Sequence, residues 1–453
     1  MPKPLNLPLW RPSLLLAGLL LSSCASYQPL PLQEGRPAGL VVDTRSLPFA
    51  PMAAHRFDPA DGLDIVEVAM LAVVNNPDLR LVRDDAAIAH AQSFSAGLLP
   101  DPQLALSRDL SNSVGAGGTK AFSLGLSYDI TSLLTHGALH GAAERDADKT
   151  DLTLLWQEWQ VASQAQLLFV KLVQGRRQLA ILDQTRQLFA DRYQRTRQAL
   201  DRNLLNSDAV TPNLTALQDV DRQRFDLMKL QNQAAHDLNA LLGLAPETAL
   251  VLRDDSGLGQ LDTQLVGAAL DGIAQRRPDL LALQAAYQAQ DQRYRGALLA
   301  QFPALNLGFT RARDSSNVYS SGIGINMSLP FLNRNRGNIA IEQATRRKAY
   351  DEYQVRVQAA RNDVRRILDE QALNQAQGAR LEADLRALAA ALARSEQAFR
   401  ASDADALAYA TARSALLSKQ LEQVALQQAV MEQRVALRTL LGIDMTQLES
   451  VKP

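Results

Sequence analysis

The stretch NNPDL at residues 75–79 decides the fold of this chain, because it returns as RRPDL at residues 276–280, 201 residues later. The stretch LLGL at residues 241–244 returns in the same way as LLGI at residues 440–443, 199 residues later. Two matches in the same order and at nearly the same spacing predict an internal duplication.

The duplication divides the chain into segments. We predict repeat 1 over residues 63–248 and repeat 2 over residues 264–445, with a linker at 249–263 between them. An N-terminal arm at 24–62 precedes the first repeat, and a C-terminal tail at 446–453 follows the second. We expect each repeat to contain the same elements in the same order.

Each repeat is predicted to begin with a helix, over 64–97 and 266–300, and then changes to a period of two. Apolar residues occupy every second position within 102–130 and 303–330, which is typical of strands with one apolar face. They are Leu104, Leu106, Phe122, Leu124, Leu126 and Tyr128, then Leu305, Leu307, Phe309, Ile323, Ile325, Met327 and Leu329. The links 111–120 and 311–321 are rich in Ser, Gly and Asn, so we predict two hairpins.

A long helical hairpin is predicted to complete each repeat. After the strands, apolar residues recur mostly at steps of three and four from Val161 to Tyr193, and again from Leu381 to Phe399. This period predicts a coiled-coil seam, and a helix from about 140 to 200 would be ~90 Å long. Polar breaks at 201–208 and 400–405 predict short turns, from which a second helix returns.

The first 24 residues predict export and a lipid anchor. Lys3 and Arg11 precede an apolar run at 14–21. This run is shorter than the ~20 residues that a membrane helix needs. Small residues then lead into Cys24, the only cysteine of the chain. We therefore expect residues 1–23 to be a cleaved signal peptide and Cys24 to carry the lipid; the alternative is a buried cysteine beside an ordinary signal sequence.

Charge and motif content argue against several classes of function. The chain has 47 Lys and Arg against 48 Asp and Glu, so it has no electrostatic footprint for nucleic acid. GxSxG, P-loop, GxGxxG and HExxH motifs are absent, so we expect no enzyme and no cofactor. His136 and His140 have the spacing of metal ligands on a helix, but we interpret them as surface residues and predict no metal site.

Four strands per chain are too few to close a barrel, and open strand edges are unstable in lipid. Three chains would contribute about twelve strands, which is enough for a closed barrel with an aqueous lumen. Their long helices would continue that barrel as a second tube. The predicted fold is an α+β membrane protein, a trimeric β-barrel continued by an α-helical barrel of coiled-coil hairpins.

Several stretches resemble the TolC-type outer-membrane efflux factors, in particular their lipoprotein branch. Besides the repeated motifs, these are LPDP at 99–102, SLPF at 328–331 and NRNRG at 333–337, and the resemblance spans roughly residues 60–445. It implies a homotrimeric duct in the outer membrane of a Gram-negative bacterium, which docks through its helix tips onto a periplasmic adaptor protein and an inner-membrane pump. Ala25 follows the lipidated cysteine where Asp would signal retention in the inner membrane.

The resemblance also implies that the helix tips close the duct, because family members contract their inner helices there and line the constriction with acidic rings. The gate candidates are Asp403 and Asp405, with Arg400 and Tyr409 nearby. Threefold symmetry would turn each carboxylate into a ring that attracts cations. The alternative is a solvated loop in which an Asp caps the returning helix.

The adaptor-docking candidates are Asn203, Ser207, Asp208 and Ser402, of which Asn203 and Ser402 replace the glycine usual in the family. We therefore expect a passive efflux duct for small molecules or ions. One alternative is a protein-secretion duct of the same family. Another is a structural periplasmic coiled-coil lipoprotein, which would lack the strand hairpins.

Overall fold

The computed structural model describes residues 27–32, 35, 37–109, 120–254, 258–259, 263–401 and 406–443. The chain separates into two units, residues 1–37 and 38–453. In the first unit, the described residues have no regular secondary structure. The helices and strands named below all belong to the second unit.

The second unit contains two successive runs of helix, strand pair and helical hairpin. The first run is α1 (Ala50–Ala54), α2 (Ile65–Asn75), α3 (Pro77–Gly97), β1 (Gln103–Asp109), β2 (Ala121–Asp129), α4 (Ile130–Asp201) and α5 (Thr211–Leu241). The second run is α6 (Thr263–Asp271), α7 (Ile273–Arg276), α8 (Pro278–Leu299), β3 (Leu305–Arg313), β4 (Tyr319–Met327), α9 (Arg336–Ala401) and α10 (Ala406–Leu441). From α3 to α5 and from α8 to α10 the order of elements is the same.

The helix predicted at the start of each repeat is broken before its proline. Residues 64–97 form α2 and α3, because Pro77 has no N–H to donate and its ring disfavours helical backbone at Asn76. Residues 266–300 form three helices, with breaks at Gly272 and before Pro278. The single helices predicted there are therefore wrong, and each proline instead begins the helix that leads to the strands.

The long helix α4 begins at Ile130 rather than near residue 140. The Asp129 carboxylate accepts a hydrogen bond from the N–H of Thr131 (2.9 Å) and so caps the helix directly at the end of β2. With 72 residues, α4 is about 108 Å long at 1.5 Å per residue. The helix continues through Gly175, where the absence of a side chain leaves room for Gln231 of α5.

The four strands predicted from the alternating pattern are confirmed, and they form one antiparallel sheet in the order β1-β2-β3-β4. The loop between β3 and β4 covers only residues 314–318, which is shorter than predicted. It is short because the Asp314 carboxylate accepts hydrogen bonds from the N–H groups of Ser316 (2.8 Å) and Val318 (2.9 Å). The other predicted hairpin loop lies largely at 110–119, outside the described residues.

Helix α4 is the common neighbour in the helical part. Near the strands it packs between α3 and α8, and towards its C-terminus it packs between α5 and α10. Polar contacts that mark these neighbours are Arg83–Glu158 and Arg293–Asp146 in the first part, and Arg186–Asp221 and Gln178–Gln428 in the second. Helix α9 packs on α8 and then on α10. Within the described chain, α3 and α5 therefore form one edge of the helical layer and α9 forms the other.

A buried ion pair joins α3 to α4. Arg83 donates hydrogen bonds to the carboxylate of Glu158 (2.8 Å) and to the backbone oxygen of Val73 (2.7 Å). Burial raises the pKa of the Glu158 carboxyl, and the hydrogen bond and charge of Arg83 act in the opposite direction. Arg83 therefore offsets the free-energy cost of burying the Glu158 carboxylate between the two helices.

The repeated sequence motifs meet in the structure. The side-chain amide of Asn76 donates to the backbone oxygen of Leu241 at the end of α5 (2.9 Å), and its oxygen accepts from the N–H of Leu79 (2.9 Å). At the matching place in the second run, Arg277 donates to the backbone oxygen of Leu440 (3.4 Å). In each run the residue before the proline therefore ties the start of one helix to the end of another. We call these two contacts, Asn76 with Leu241 and Arg277 with Leu440, the two junctions.

Gly243 lies at the first of these junctions. Its φ of 63° ends α5 in a left-handed turn, with hydrogen bonds from its own N–H to Ala240 (3.0 Å) and from Leu244 to Asn239 (2.9 Å). A Cβ atom at this position would lie 2.6 Å from the backbone oxygen of Asn75. Only glycine therefore fits both the turn and the close approach of the two chain segments.

Apolar cores lie around the two junctions. The first gathers α2, the middle of α4 and the end of α5 around the fully buried Phe169. The second gathers α6 to α8, part of α9 and the end of α10 around Ile273 and Leu280. Within the described ranges, no helix is both long enough and apolar enough to cross a membrane.

Replacing Gly243 by alanine tests the junction. We expect a loss of about 1–3 kcal/mol, because the methyl group forces a side chain into a left-handed turn against Asn75. The measurement is the thermal midpoint of the helical circular dichroism signal in detergent. Gly267→Ala in α6 is the matched control, since nothing lies within 4 Å of its added Cβ, and its midpoint should not fall. Equal midpoints for both variants would contradict the assignment.

Candidate functional site

The sheet has two chemically different faces. The pairing register places the alternating apolar residues of all four strands on one face; for example, Leu126 lies opposite Leu104 and Phe309, and Phe309 lies opposite Ile323. The other face carries small or polar side chains, namely Gln103, Ala105, Ser107, Ser123, Gly125, Ser127, Asn306, Gly308, Thr310, Ser320, Gly322, Gly324 and Asn326. We call these the apolar face and the polar face.

Neither face is covered by the described residues. On the apolar face, Ile323 is 76% exposed and Leu106 is 74% exposed, and all residues of β1 and β4 are exposed. The strands β1 and β4 each have one neighbour in the sheet, so both edges are unpaired among the described residues. A sheet in this state needs another surface for its apolar face and other strands for its edges.

The first tip, residues 202–210, joins α4 to α5 and contains three of the docking candidates. Asn203 has a φ of 56°, and the N–H groups of Asn203 and Leu204 donate to Leu200 and Ala199 (both 2.8 Å). This is the hydrogen-bond pattern that glycine usually supports at the end of a helix. Asparagine tolerates the left-handed conformation better than other side chains, which explains its presence here.

The first tip also exposes apolar residues that the sequence interpretation missed. Leu204 is 71% exposed and Leu205 is 40% exposed, while the docking candidates Ser207 and Asp208 are exposed on the following short turn. Two leucines in a polar break belong to no periodic pattern, so they gave no signal in the sequence. Together, these side chains give the tip a mixed apolar and polar surface.

The second tip joins α9 to α10, and three of its candidates, Ser402, Asp403 and Asp405, lie outside the described residues. The predicted lipidation site at Cys24 also lies outside them. Arg400 is described, and its guanidinium donates a hydrogen bond to the Glu396 carboxylate on its own helix (2.6 Å).

Tyr409 is held by contacts across the second tip. Its ring stacks on Phe399 with a centroid distance of 5.2 Å and an interplanar angle of 10°, and its hydroxyl accepts a hydrogen bond from Arg413 (2.9 Å). The guanidinium of Arg195 on α4 lies 6.0 Å from the centroid of Phe399. The gate candidate Tyr409 is thus linked through Phe399 to the neighbouring hairpin.

A cavity of about 480 Å³ lies at this place between α4 and the ends of α9 and α10. Its wall includes the rings of Phe399 and Tyr409 and the side chains of Asp191, Arg192 and Arg413. The cavity separates α4 from the second tip, so the packing there is incomplete. Helices that meet across such a gap can shift with little loss of contact.

The two histidines with metal-ligand spacing both lie on α4. The rings of His136 and His140 stack at 5.9 Å, and the nearest carboxylate to His140 is that of Glu144 at 3.6 Å. Within the described ranges there is no group of three or more His, Cys, Asp and Glu side chains that could hold a metal ion.

The sheet and the long helices have counterparts in known proteins. Residues 269–443 match the family model described as outer membrane efflux protein. The matched segment begins in α6 and ends just after α10, so it covers nearly all of the second run of elements. No curated protein matches the chain in sequence.

Solved structures show the same fold over most of this chain. The transmembrane channel CusC has a TM-score of 0.70 at 19% identity, over 92% of this chain and 100% of the other. The outer-membrane channel OprN has 0.71 at 17%, over 92% and 99%. The MtrE outer membrane channel of Neisseria gonorrhoeae, in its open state, has 0.69 at 17%, over 84% and 89%. The predicted TolC-type fold is confirmed.

Asn203 offers a test of the first tip. We expect Asn203→Val to raise hydrogen exchange of the Leu204 amide roughly tenfold, because a β-branched residue at positive φ costs about 1–2 kcal/mol. Asn203→Gly should leave the exchange rate within about twofold, since glycine adopts this conformation freely. If both variants exchange at the same rate as each other, the left-handed cap does not hold the tip.

Proposed function

We propose that three copies of this chain form a passive duct across the outer membrane, which exports small molecules or ions. The observation that carries the proposal is the sheet with one apolar face, one polar face and two unpaired edges. Strands of three copies pair edge to edge into a closed barrel of about twelve strands. The apolar face contacts lipid, and the polar face lines an aqueous lumen. The similarity to solved outer-membrane channels supports this arrangement.

The long helices continue the duct into the periplasm. α3 or α5 at one edge of the layer and α9 at the other pack against neighbouring copies, in the same way as α4 packs against α8 and α10 within the chain. Repeat 1 (63–248) and repeat 2 (264–445) act as two similar segments of the wall. A lipid on Cys24 anchors each copy to the membrane after removal of residues 1–23.

The two tips engage the other proteins of the export system. Asn203, Ser207 and Asp208, with the exposed Leu204 and Leu205, form the surface that docks a periplasmic adaptor protein, and Ser402 is a further docking candidate. An inner-membrane pump supplies the energy and selects the cargo. The chain itself catalyses no reaction and needs no cofactor.

Conductance tests the duct. We expect the purified full chain to migrate as a heat-resistant trimer in detergent and to produce steady current steps in a planar bilayer. Phe309→Lys should reduce membrane insertion, since a lysine on the lipid-facing side costs about 2–4 kcal/mol at mid-membrane.

Thr310→Lys is the matched control for Phe309→Lys, because the neighbouring side chain points to the lumen. It should insert normally. A monomeric wild-type protein without conductance would contradict the duct. Equal insertion of the two variants would contradict the assignment of the faces.

The gate is tested by ion selectivity. We propose that Asp403 and Asp405 form acidic rings at the constriction, with Arg400 and Tyr409 beside them. The double substitution Asp403→Asn with Asp405→Asn should lower the cation-to-anion permeability ratio, read from the reversal potential across a salt gradient. Asp208→Asn at the first tip is the control and should leave the ratio near that of the wild type. If selectivity does not change in the double variant, the carboxylates only cap the helix.

A further inference from the structure

Four cations lie together on the apolar face at the end of the sheet that carries the hairpin loops. Arg108, Arg311 and Arg313 follow the alternation of the apolar residues, and Lys120 shares the side of Phe122 two positions away. In the pairing register, Arg108 lies opposite Phe122, and Phe122 lies opposite Arg313. One row across three strands therefore reads arginine, phenylalanine, arginine.

No carboxylate shares this face among the described residues of the sheet. Asp109 is near in sequence, but the alternation puts it on the polar face, and Asp314 lies in the turn after β3. The Asp314 carboxylate also caps the turn at 314–318. The apolar face therefore ends in a patch of four positive charges, which we call the cationic rim.

The rim is ordered by aromatic contacts. The guanidinium of Arg313 lies 5.4 Å from the ring centroid of Phe122 and 6.0 Å from that of Tyr319, and it donates a hydrogen bond to the backbone oxygen of Lys120 (2.7 Å). Arg108 and Arg311 are exposed and have no ion pair with the described residues. One guanidinium is thus held in place, and two are available to a ligand.

The position of the rim matches the edge of a membrane. Arg313 lies eight residues along β3 from Leu305, which is about 26 Å along the strand and about 20 Å along the membrane normal at a strand tilt of about 40°. The long arginine side chain extends this reach by several Å. The apolar band of membrane barrels is about 25 Å tall. The apolar side chains of the sheet lie between these two ends, so the cations stand where hydrocarbon gives way to headgroups.

We propose that the cationic rim binds the phosphate group of a membrane lipid. The proposal rests on the proposed function, because the apolar face must point to lipid. Neighbouring strands are about 4.8 Å apart, so the exposed Arg108 and Arg311, which lie two strands apart, can both reach one phosphate beside Arg313. Guanidinium groups bind phosphate through paired hydrogen bonds, and the adjacent apolar band holds the acyl chains.

Lipid binding by the detergent-solubilised full-length protein tests the rim. The probes are cardiolipin, which carries two phosphates, phosphatidylcholine, which has no net charge, and soluble pyrophosphate as a competitor. Native mass spectrometry should show cardiolipin retained in preference to phosphatidylcholine. The triple variant Arg108→Gln, Arg311→Gln, Arg313→Gln should bind cardiolipin roughly tenfold or more weakly.

Two further variants control for charge and for folding. Arg365→Gln, Arg380→Gln and Arg386→Gln remove the same charge from exposed positions of α9 and should bind cardiolipin as the wild type does. Lysine at the three rim positions keeps the charge and should restore most of the binding. Recovery by lysine shows that the glutamine variant lost a binding group and not its fold.

The outcomes distinguish the lipid-binding proposal from the proposed duct. If the wild type conducts but the glutamine variant keeps its preference for cardiolipin, the lipid-binding proposal is overturned and the duct stands. Tighter binding of pyrophosphate than of cardiolipin would mean a site for free phosphate compounds and would also overturn it. If the wild type neither assembles nor conducts, the duct fails, and the lipid proposal fails with it.

Discussion

The structure depends on one constraint: among the described residues, a sheet of four strands has no partner for either face or either edge. Ordinary folding buries an apolar face against helices, but here the helices begin where the strands end and leave the sheet uncovered. Backbone groups at the edges of β1 and β4 must then pair with other strands. In the proposed duct, neighbouring copies of the chain and the membrane lipid meet these two requirements.

The helical part solves a different problem, which is how to hold rods of about 100 Å in register. Its apolar cores gather around the two junctions where Asn76 and Arg277 join the start of one helix to the end of another. Away from these places, the helices meet through scattered buried leucines such as Leu182 and Leu417 and through polar pairs. The packing is firm at the junctions and incomplete at the second tip. Local stability therefore falls from the junctions towards that tip.

Much of this architecture was visible in the sequence, because the period of two and the coiled-coil period are local signals. Leu104 to Tyr128 predicted strands correctly. The contact between Asn76 and Leu241 was not predictable, since 165 residues separate them and no periodicity connects the two motifs. The stacking of Phe399 on Tyr409 was missed because Phe399 fitted the helical seam. The helix breaks were missed because apolar periodicity continued across Pro77 and Pro278.

The register of the sheet also constrains how this chain can change length. A single residue inserted within β2 or β3 would move every later side chain of that strand to the opposite face, bringing Ser and Gly to lipid and Leu to water. Two residues inserted together would restore the alternation. We therefore expect the strands to tolerate insertions or deletions only of an even number of residues. The turn at 314–318 is not restricted to even numbers, because a change in its length moves no strand side chain to the opposite face.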